Sequence, residues 1–496
     1  MSFSQLDQLC RRLEAMDHAE AMLGVDEAVN MPEGGGEKRA EAMAIIASMS
    51  HEMASAPRVA EWIAKAEAED LDQDQKVAVA AFKRAYINLT CLTSDFVARQ
   101  VNARLRCEQL WRALRPANDW AEFLPSFENI VALAREEASR RAAVLGLSPY
   151  DALVEQYDPG SRSADISRVF GHLKAFLKGF IPEALDAQAR RRAARPLRPL
   201  AGPFAIDRQK ALGLELMKTV GFDFHHGRLE VSHHPFCGGV PSDVRMTTRY
   251  REDEFLSSLM GILHETGHGL YEQNLPHDLA HWPSTRARGM AMHESQSLFQ
   301  EMQLSRRAEF WQFALPRARA ILGLEPDLET ADMLAHVHRV QPGFIRVDAD
   351  EATYPLHVIL RYELEQDLIA GKLEARDVPD AWDTKMRDYL GLSTAGNYRD
   401  GPMQDVHWPS GAFGYFPSYT LGAMMAAQQW AAVERHIPDA AEQIARGEFA
   451  AINAWRKHHI WSQASRLSTP EIMIHATGEP LNARHFEEHL KRRYLI

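Results

Sequence analysis

Two histidines four residues apart, with a glutamate after the first, make His264-Glu265-Thr266-Gly267-His268 the stretch whose types and spacing describe a reaction. At about 100° per residue in a helix, His264 and His268 project from nearly one line, a turn apart. Two imidazoles so placed can grip one cation, and Glu265, about a quarter-turn away, can address a water bound to it. Zinc suits this arrangement because it takes nitrogen and oxygen ligands tetrahedrally and keeps one position open in catalytic sites. The competing reading is a buried helix that merely carries two histidines. Phe255, Leu256, Leu259, Met260, Ile262, Leu263, Leu270 and Tyr271 make the helix apolar nearly all round, which marks it as interior. Two histidines and a glutamate buried there need compensation, and a metal supplies it.

A catalytic zinc needs a third protein ligand. Residues 288–299 read as a second helix, containing His293-Glu294-Ser295-Gln296-Ser297 and turning Glu294 the same way as Met290 and Leu298. Solvation explains an acidic residue on a mostly apolar face poorly, and sites of the thermolysin type take two histidines and a glutamate. Glu294 is the leading third ligand, Glu272 and Glu301 are weaker ones, and His281 is another, in a loop.

Holding these groups requires long elements, and the chain supplies them. Residues 1–31 read as a helix through Leu6, Leu9, Leu13, Met16 and Met22, broken at Met31-Pro32-Glu33-Gly34-Gly35-Gly36 and followed by a second over 37–55. Residues 57–145 predict three or four amphipathic helices, among them 60–68, 73–111 and 120–145. Ser148-Pro149-Tyr150 opens a short one, 163–185 forms another, 196–203 is an extended connector, and 206–220 is helical again. Extended segments fall at 229–232 and 244–250 with Gly238-Gly239 between them, which predicts a small hairpin or sheet. Asn274-Leu275-Pro276 ends the His-Glu-x-x-His helix, and the remainder reads as helical apart from a loop over 401–419. The expected fold is therefore mainly α: one large helical domain over 1–496, with a small β element beside the zinc helix.

Bulk properties narrow the function. The chain has 496 residues, with Lys+Arg 56 against Asp+Glu 68 and a net charge of −12. That acidity is spread out, whereas a nucleic-acid footprint is basic and clustered. The one dense basic stretch, Arg190-Arg191-Arg192 with Arg195 and Arg198, reads as a solvated helix end and loop. Cys10, Cys91, Cys107 and Cys237 are widely spaced without Cys-x-x-Cys pairs, so reduced thiols of a cytoplasmic protein are expected. Residues 1–23 lack the apolar core of a signal peptide. Residues 408–433 carry no charge, but their prolines, glycines and glutamines predict a loop and a buried helix, not a membrane span.

The motif set resembles the carboxypeptidase Taq family of zinc metallocarboxypeptidases. Besides the two helix motifs, it includes His234-Pro235-Phe236, Asp243-Val244-Arg245-Met246-Thr247, Ile345-Arg346-Val347-Asp348-Ala349-Asp350 and Gly401-Pro402-Met403-Gln404-Asp405-Val406-His407-Trp408. The resemblance spans the whole chain and departs from the family at Val25-Asp26, where Trp-Asp is usual. It implies removal of single residues from peptide C-termini with broad specificity, by a mostly helical homodimer with a deep groove. Residues 1–200 would form a groove wall and 201–496 the catalytic part. It also implies His264, His268 and Glu294 as ligands of one Zn2+ per chain and Glu265 as the catalytic carboxylate; Co2+ or Mn2+ are possible substitutes. Peptides are the expected partners, with neither nucleic acid nor membrane.

The matched motifs contain groups for the remaining tasks. The substrate's terminal carboxylate needs an anchor, and an arginine fork binds one bidentately. Arg346 is favoured over Arg245, with a structural salt bridge as the alternative for either. A donor for the tetrahedral intermediate is expected from His407 or Tyr415, while Tyr419 is expected to pack the loop onto the core. His234 lines the groove or caps a strand, and Asp243 and Asp405 are possible partners for the ligand histidines. Two other readings stay open: a His-Glu-x-x-His peptidase cutting internally or from the N-terminus, and a non-catalytic helical binding protein. The second is disfavoured because a structural site has no use for Glu265.

Overall fold

The apolar periodicity of the chain resolves, in a computed structural model describing residues 2–232 and 235–495, into helices with one small sheet at the side of helix Leu256–Gln273. The mainly α expectation holds. Helices Ser2–Val29, Gly36–Ser55, Pro57–Ala66 and Gln73–Thr90 open the chain, and three of them bury Phe3, Leu6, Val59, Ile63, Val79 and Phe82 together with Trp282. The single helix expected over 73–111 is instead two, Gln73–Thr90 and Ser94–Ala117. The break is a capping event: the Thr93 hydroxyl accepts from the Phe96 amide, and a threonine at that position starts a helix better than it continues one. The helix expected to end near 185 runs on as Ser163–Ala194, so the basic run forms its last turn.

The sheet has three strands, β1 (Gly227–Val231), β2 (Phe236–Val240) and β3 (Asp243–Thr248), in the order β1-β3-β2. The small sheet expected from 229–232 and 244–250 is present, but those two segments, β1 and β3, pair parallel and form no hairpin. Strand β3 makes its antiparallel hairpin with β2, the stretch that reads from sequence as the connection. Strand β2 lacks apolar alternation, which is why its sequence did not announce it. At Gly239, with φ +86°, a Cβ would stand 2.2 Å from the Asp243 carbonyl oxygen, so the tight turn demands glycine. Val244 and Met246 pack with Phe222, Leu229 and Ile262, bracing the His-Glu-x-x-His helix from below.

Helix Pro417–His436 is buried as far as Val433, which accounts for the lack of charge up to that residue. No helix among the described residues is long and apolar enough to cross a membrane. A groove of about 970 Å3 runs between the N-terminal helices, through Glu14, His18 and Arg84, and later elements of the chain, through Gly239, Glu272 and His293.

Candidate metal centre

Two helices build the centre, Leu256–Gln273 and Met290–Leu298. They meet at Gly267, where a Cβ would lie 2.4 Å from the Gln296 carbonyl oxygen and 2.6 Å from the Ser297 Cα. The glycine inside the motif thus sets how closely the second helix approaches. Gly422 does the same from behind, since a Cβ there would stand 2.8 Å from Cβ and Cγ of Glu294. Between these contacts Glu294 is aimed at both histidines: its Oε2 lies 3.7 Å from Nε2 of His264 and 3.4 Å from Nε2 of His268. One ligand atom from each of His264, His268 and Glu294 falls within 4.8 Å of the others.

The outward nitrogens of both histidines are engaged. Nδ1 of His264 lies 3.0 Å from Glu301 Oε2, and Arg306 donates to the other oxygen of Glu301. Nδ1 of His268 lies 2.6 Å from Nδ1 of His293, whose Nε2 lies 2.7 Å from Glu272 Oε1. With Glu272 and Glu301 as the terminal acceptors, each histidine can donate outward from Nδ1, and with a metal bound each would present the lone pair of its Nε2 on the side of Glu294. That donor set fits a divalent metal. The expectation that Asp243 or Asp405 supports the ligands is overturned: Asp243 is taken bidentately by Arg245, and Asp405 by Arg346 and Arg361. Glu272 and Glu301, weighed from sequence as ligands, stand behind them instead. Glu301 reaches its place from a π-helical continuation, Phe299–Ser305, of the second helix. His281 lies elsewhere, 2.6 Å from Asp7.

The electrostatics favour a cation. Burial works against a charged His264, yet Glu294, Glu301 and Glu265 together raise it to about 10. Burial lowers His268 to about 4, against the pull of Glu294. Glu265 is buried, and that burial pushes its carboxyl up to about 7, with His264 pulling the other way.

Beside the helices stands a wall from the irregular stretch after residue 400. Glu365 pins it, accepting from Trp408 Nε1, the Gly414 amide and the Tyr150 hydroxyl at 2.9, 2.9 and 2.8 Å. Asp405 holds two guanidinium groups, Arg346 at 2.7 Å and Arg361 at 2.6 Å. Arg346 also donates to the Tyr354 hydroxyl at 2.7 Å, and its guanidinium lies 4.9 Å from the centre of the Tyr419 ring. Nε2 of His407 lies 3.0 Å from the Tyr419 hydroxyl, and burial lowers His407 to about 4, so the ring is neutral. The Tyr415 ring packs between Tyr157 and Tyr419. Burial foremost, with Glu294 among the charges that add to it, raises the hydroxyls of Tyr354, Tyr415 and Tyr419 above the ordinary phenol range. Arg245, on β3, is strapped to Asp243 at 2.5 and 2.8 Å. His234 lies outside the described residues. Sequence reasoning missed Arg361, His293 as a relay and Gly422; none of them carries a local signal beyond its residue type.

The carboxypeptidase Taq (M32) metallopeptidase family model matches residues 5–494. Thermostable carboxypeptidase 1 of Thermus thermophilus is 37% identical over 491 residues, spanning 96% of this chain and 94% of its own. Carboxypeptidase 1 of Bacillus subtilis is 32% identical over 499 residues, 98% of this chain and 96% of its own. Among solved structures, Trypanosoma cruzi metallocarboxypeptidase 1 aligns with a TM-score of 0.97 at 40% identity, covering 99% of each chain. The M32 carboxypeptidase of Deinococcus radiodurans aligns with a TM-score of 0.92 at 30% identity, covering 99% of this chain and 98% of its own. The chain belongs to the carboxypeptidase Taq (M32) family and is a metal-dependent carboxypeptidase, a peptide hydrolase.

Proposed function

We propose that the chain is a zinc enzyme that removes single residues from peptide C-termini with broad tolerance, using His264, His268 and Glu294 as ligands and Glu265 as general base. The observation that carries this is the convergence of the three ligand atoms within 4.8 Å, with Glu265 on the same helix. A bound Zn2+ supplies Lewis-acid polarisation of the scissile carbonyl and the attacking water. Glu265 accepts the proton of that water and returns it to the leaving amine; a carboxyl raised to about 7 is matched to both tasks near neutrality. The hydroxyls of Tyr415 and Tyr419 donate to the developing oxyanion. His407 contributes through Tyr419: with its proton on Nε2 it donates to the tyrosine oxygen and orients the hydroxyl.

For the substrate's terminal carboxylate we assign Arg346, with Arg245 as the less favoured choice. Arg346 and Arg361 share one carboxylate, Asp405, and all three are largely buried. Two guanidinium groups on one anion leave positive charge that a terminal carboxylate completes. The same reading includes a homodimer in the cytoplasm, with Co2+ or Mn2+ able to replace zinc. Light scattering and metal analysis of the purified chain test the dimer and the metal.

Glu265→Gln is expected to retain one metal per chain and lose turnover by at least about a hundredfold, the usual contribution of a positioned base. Metal analysis and mass-spectrometric product mapping, on peptides blocked at either end, check this. Substantial turnover in the variant, or internal cleavage by the wild type, would overturn the assignment.

A further inference from the structure

The basic run that reads from sequence as a solvated helix end lines a cavity. Arg191 and Arg192, in the last turn of Ser163–Ala194, and Arg195 just beyond it face a space of about 620 Å3 that shares no lining residue with the groove. Arg306 and Arg307 enter from a second side and Arg492 and Arg493 from a third, while among the described residues the acidic lining side chains are Glu309 and Glu434. Structural ion pairing accounts for part of this. Arg195 is held by Glu329 and Asp332, Arg493 by Glu351, Arg306 by Glu301, Arg307 by Glu309 and Glu434, and Arg492 by Glu434. Cations in last turns also complement helix dipoles.

Those pairings leave donors over. Nη2 of Arg192 and Nε of Arg306 are buried without a hydrogen-bond partner, and among the described residues no ion pair holds Arg192. A buried guanidinium N–H without an acceptor is costly, and the planar fork matches phosphate or carboxylate oxygens. Leu334, Ala335 and Ala308 give the same cavity an apolar face. Its volume lies within the range of roughly 300–1,000 Å3 typical of small-molecule sites.

We propose that this cavity binds a small organic dianion, a phosphate monoester or a dicarboxylate, with its head group on Arg192 and Arg306 and its body against Leu334 and Ala335. Binding there reaches the metal centre through one side chain. Arg306 donates to one oxygen of Glu301, whose other oxygen lies 3.0 Å from Nδ1 of His264. A dianion that draws Arg306 toward the cavity loosens Glu301 and, through it, the orientation of His264. This coupling rests on His264 as a metal ligand; the binding does not.

The test separates the two. The full chain is stripped of metal, dialysed and titrated calorimetrically with AMP in one arm and succinate in the other. One saturable site is expected, weakened at least about tenfold in Arg192→Gln, the equivalent of a lost hydrogen bond to a charged group. Ala335→Glu, which plants a carboxylate in the wall, is expected to abolish it. Saturation in one arm alone identifies the head group. No saturable binding in either arm, or binding unchanged in both variants, overturns the site. Zinc release from the loaded wild type into a chelating dye is expected to be faster with the bound dianion, and unaffected by it in Arg192→Gln. A release rate that the dianion leaves unchanged overturns the coupling.

Discussion

Asp405 shows how one residue can organise a site from outside the ligand set. Burial alone would raise its carboxyl, but Arg361 and Arg346 hold it far below the ordinary carboxylate range. A depressed folded value contributes stability that is present above the unfolded pKa of about 3.9 and is lost as pH falls through the folded value. Asp405→Asn strands two buried guanidinium groups, at a cost of about 3–5 kcal/mol. Thermal melts should show a large drop at pH 7 and a gap from wild type that begins to narrow below about pH 4. A gap constant down to pH 3 would contradict the charge argument. Arg346→Ala tests the other face of the pair. As a carboxylate anchor, its loss should raise KM for free C-termini at least about tenfold and erase the preference over amidated peptides. Lowered stability with that preference intact would leave Arg346 as scaffold alone. The motifs made Arg346 and Asp405 visible. That they hold each other was not visible, because 59 positions separate the partners.

At the scale of elements, the centre depends on how closely two helices approach. Sequence periodicity identifies both helices and turns Glu294 inward, but the distance between them is set by Gly267 and Gly422. Gly267→Ala places a methyl group against the backbone at Gln296 and Ser297, which has no freedom to rotate away. Overpacking of this kind costs about 1–3 kcal/mol and displaces the second helix. We expect metal content well below one per chain, together with a lower melting temperature. Full metal content at wild-type stability would show that this contact does not position Glu294. The pattern-based reading failed where capping and irregular geometry outweigh periodicity. Thr93 splits a helix that its apolar repeat would continue, and the π segment carries Glu301 to His264.

Over the whole molecule, the groove is lined on one side by N-terminal helices that Asp7 ties to the segment around Trp282. Asp7 accepts from Nε2 of His281 at 2.6 Å and from Nε1 of Trp282 at 2.7 Å, while the Asp17–Arg286 pair is largely exposed and contributes little. Asp7→Ala removes both half-buried bonds, a loss of about 1–2 kcal/mol. Hydrogen exchange should then quicken along Ser2–Val29 with metal content unchanged, and KM for peptides that span the groove should rise. Unaltered exchange would mean that the apolar cluster around Phe3, Leu6 and Trp282 holds the wall unaided.

Read by itself, the sequence determined the mainly helical class, the two metal-site helices and the three groups able to share a cation, because each is a matter of residue type at short periodic spacing. It also carried the family, through motifs strung along the whole chain. Tertiary structure decided what stands behind those groups: Glu301 on His264 and His293 on His268, Arg361 opposite Arg346, and a cavity where the basic run reads as solvent-facing. These pairings join distant residues whose local sequence is indistinguishable from that of an ordinary solvated or core position. Only packing, which removes water and leaves each buried polar atom to find a partner, selects among them.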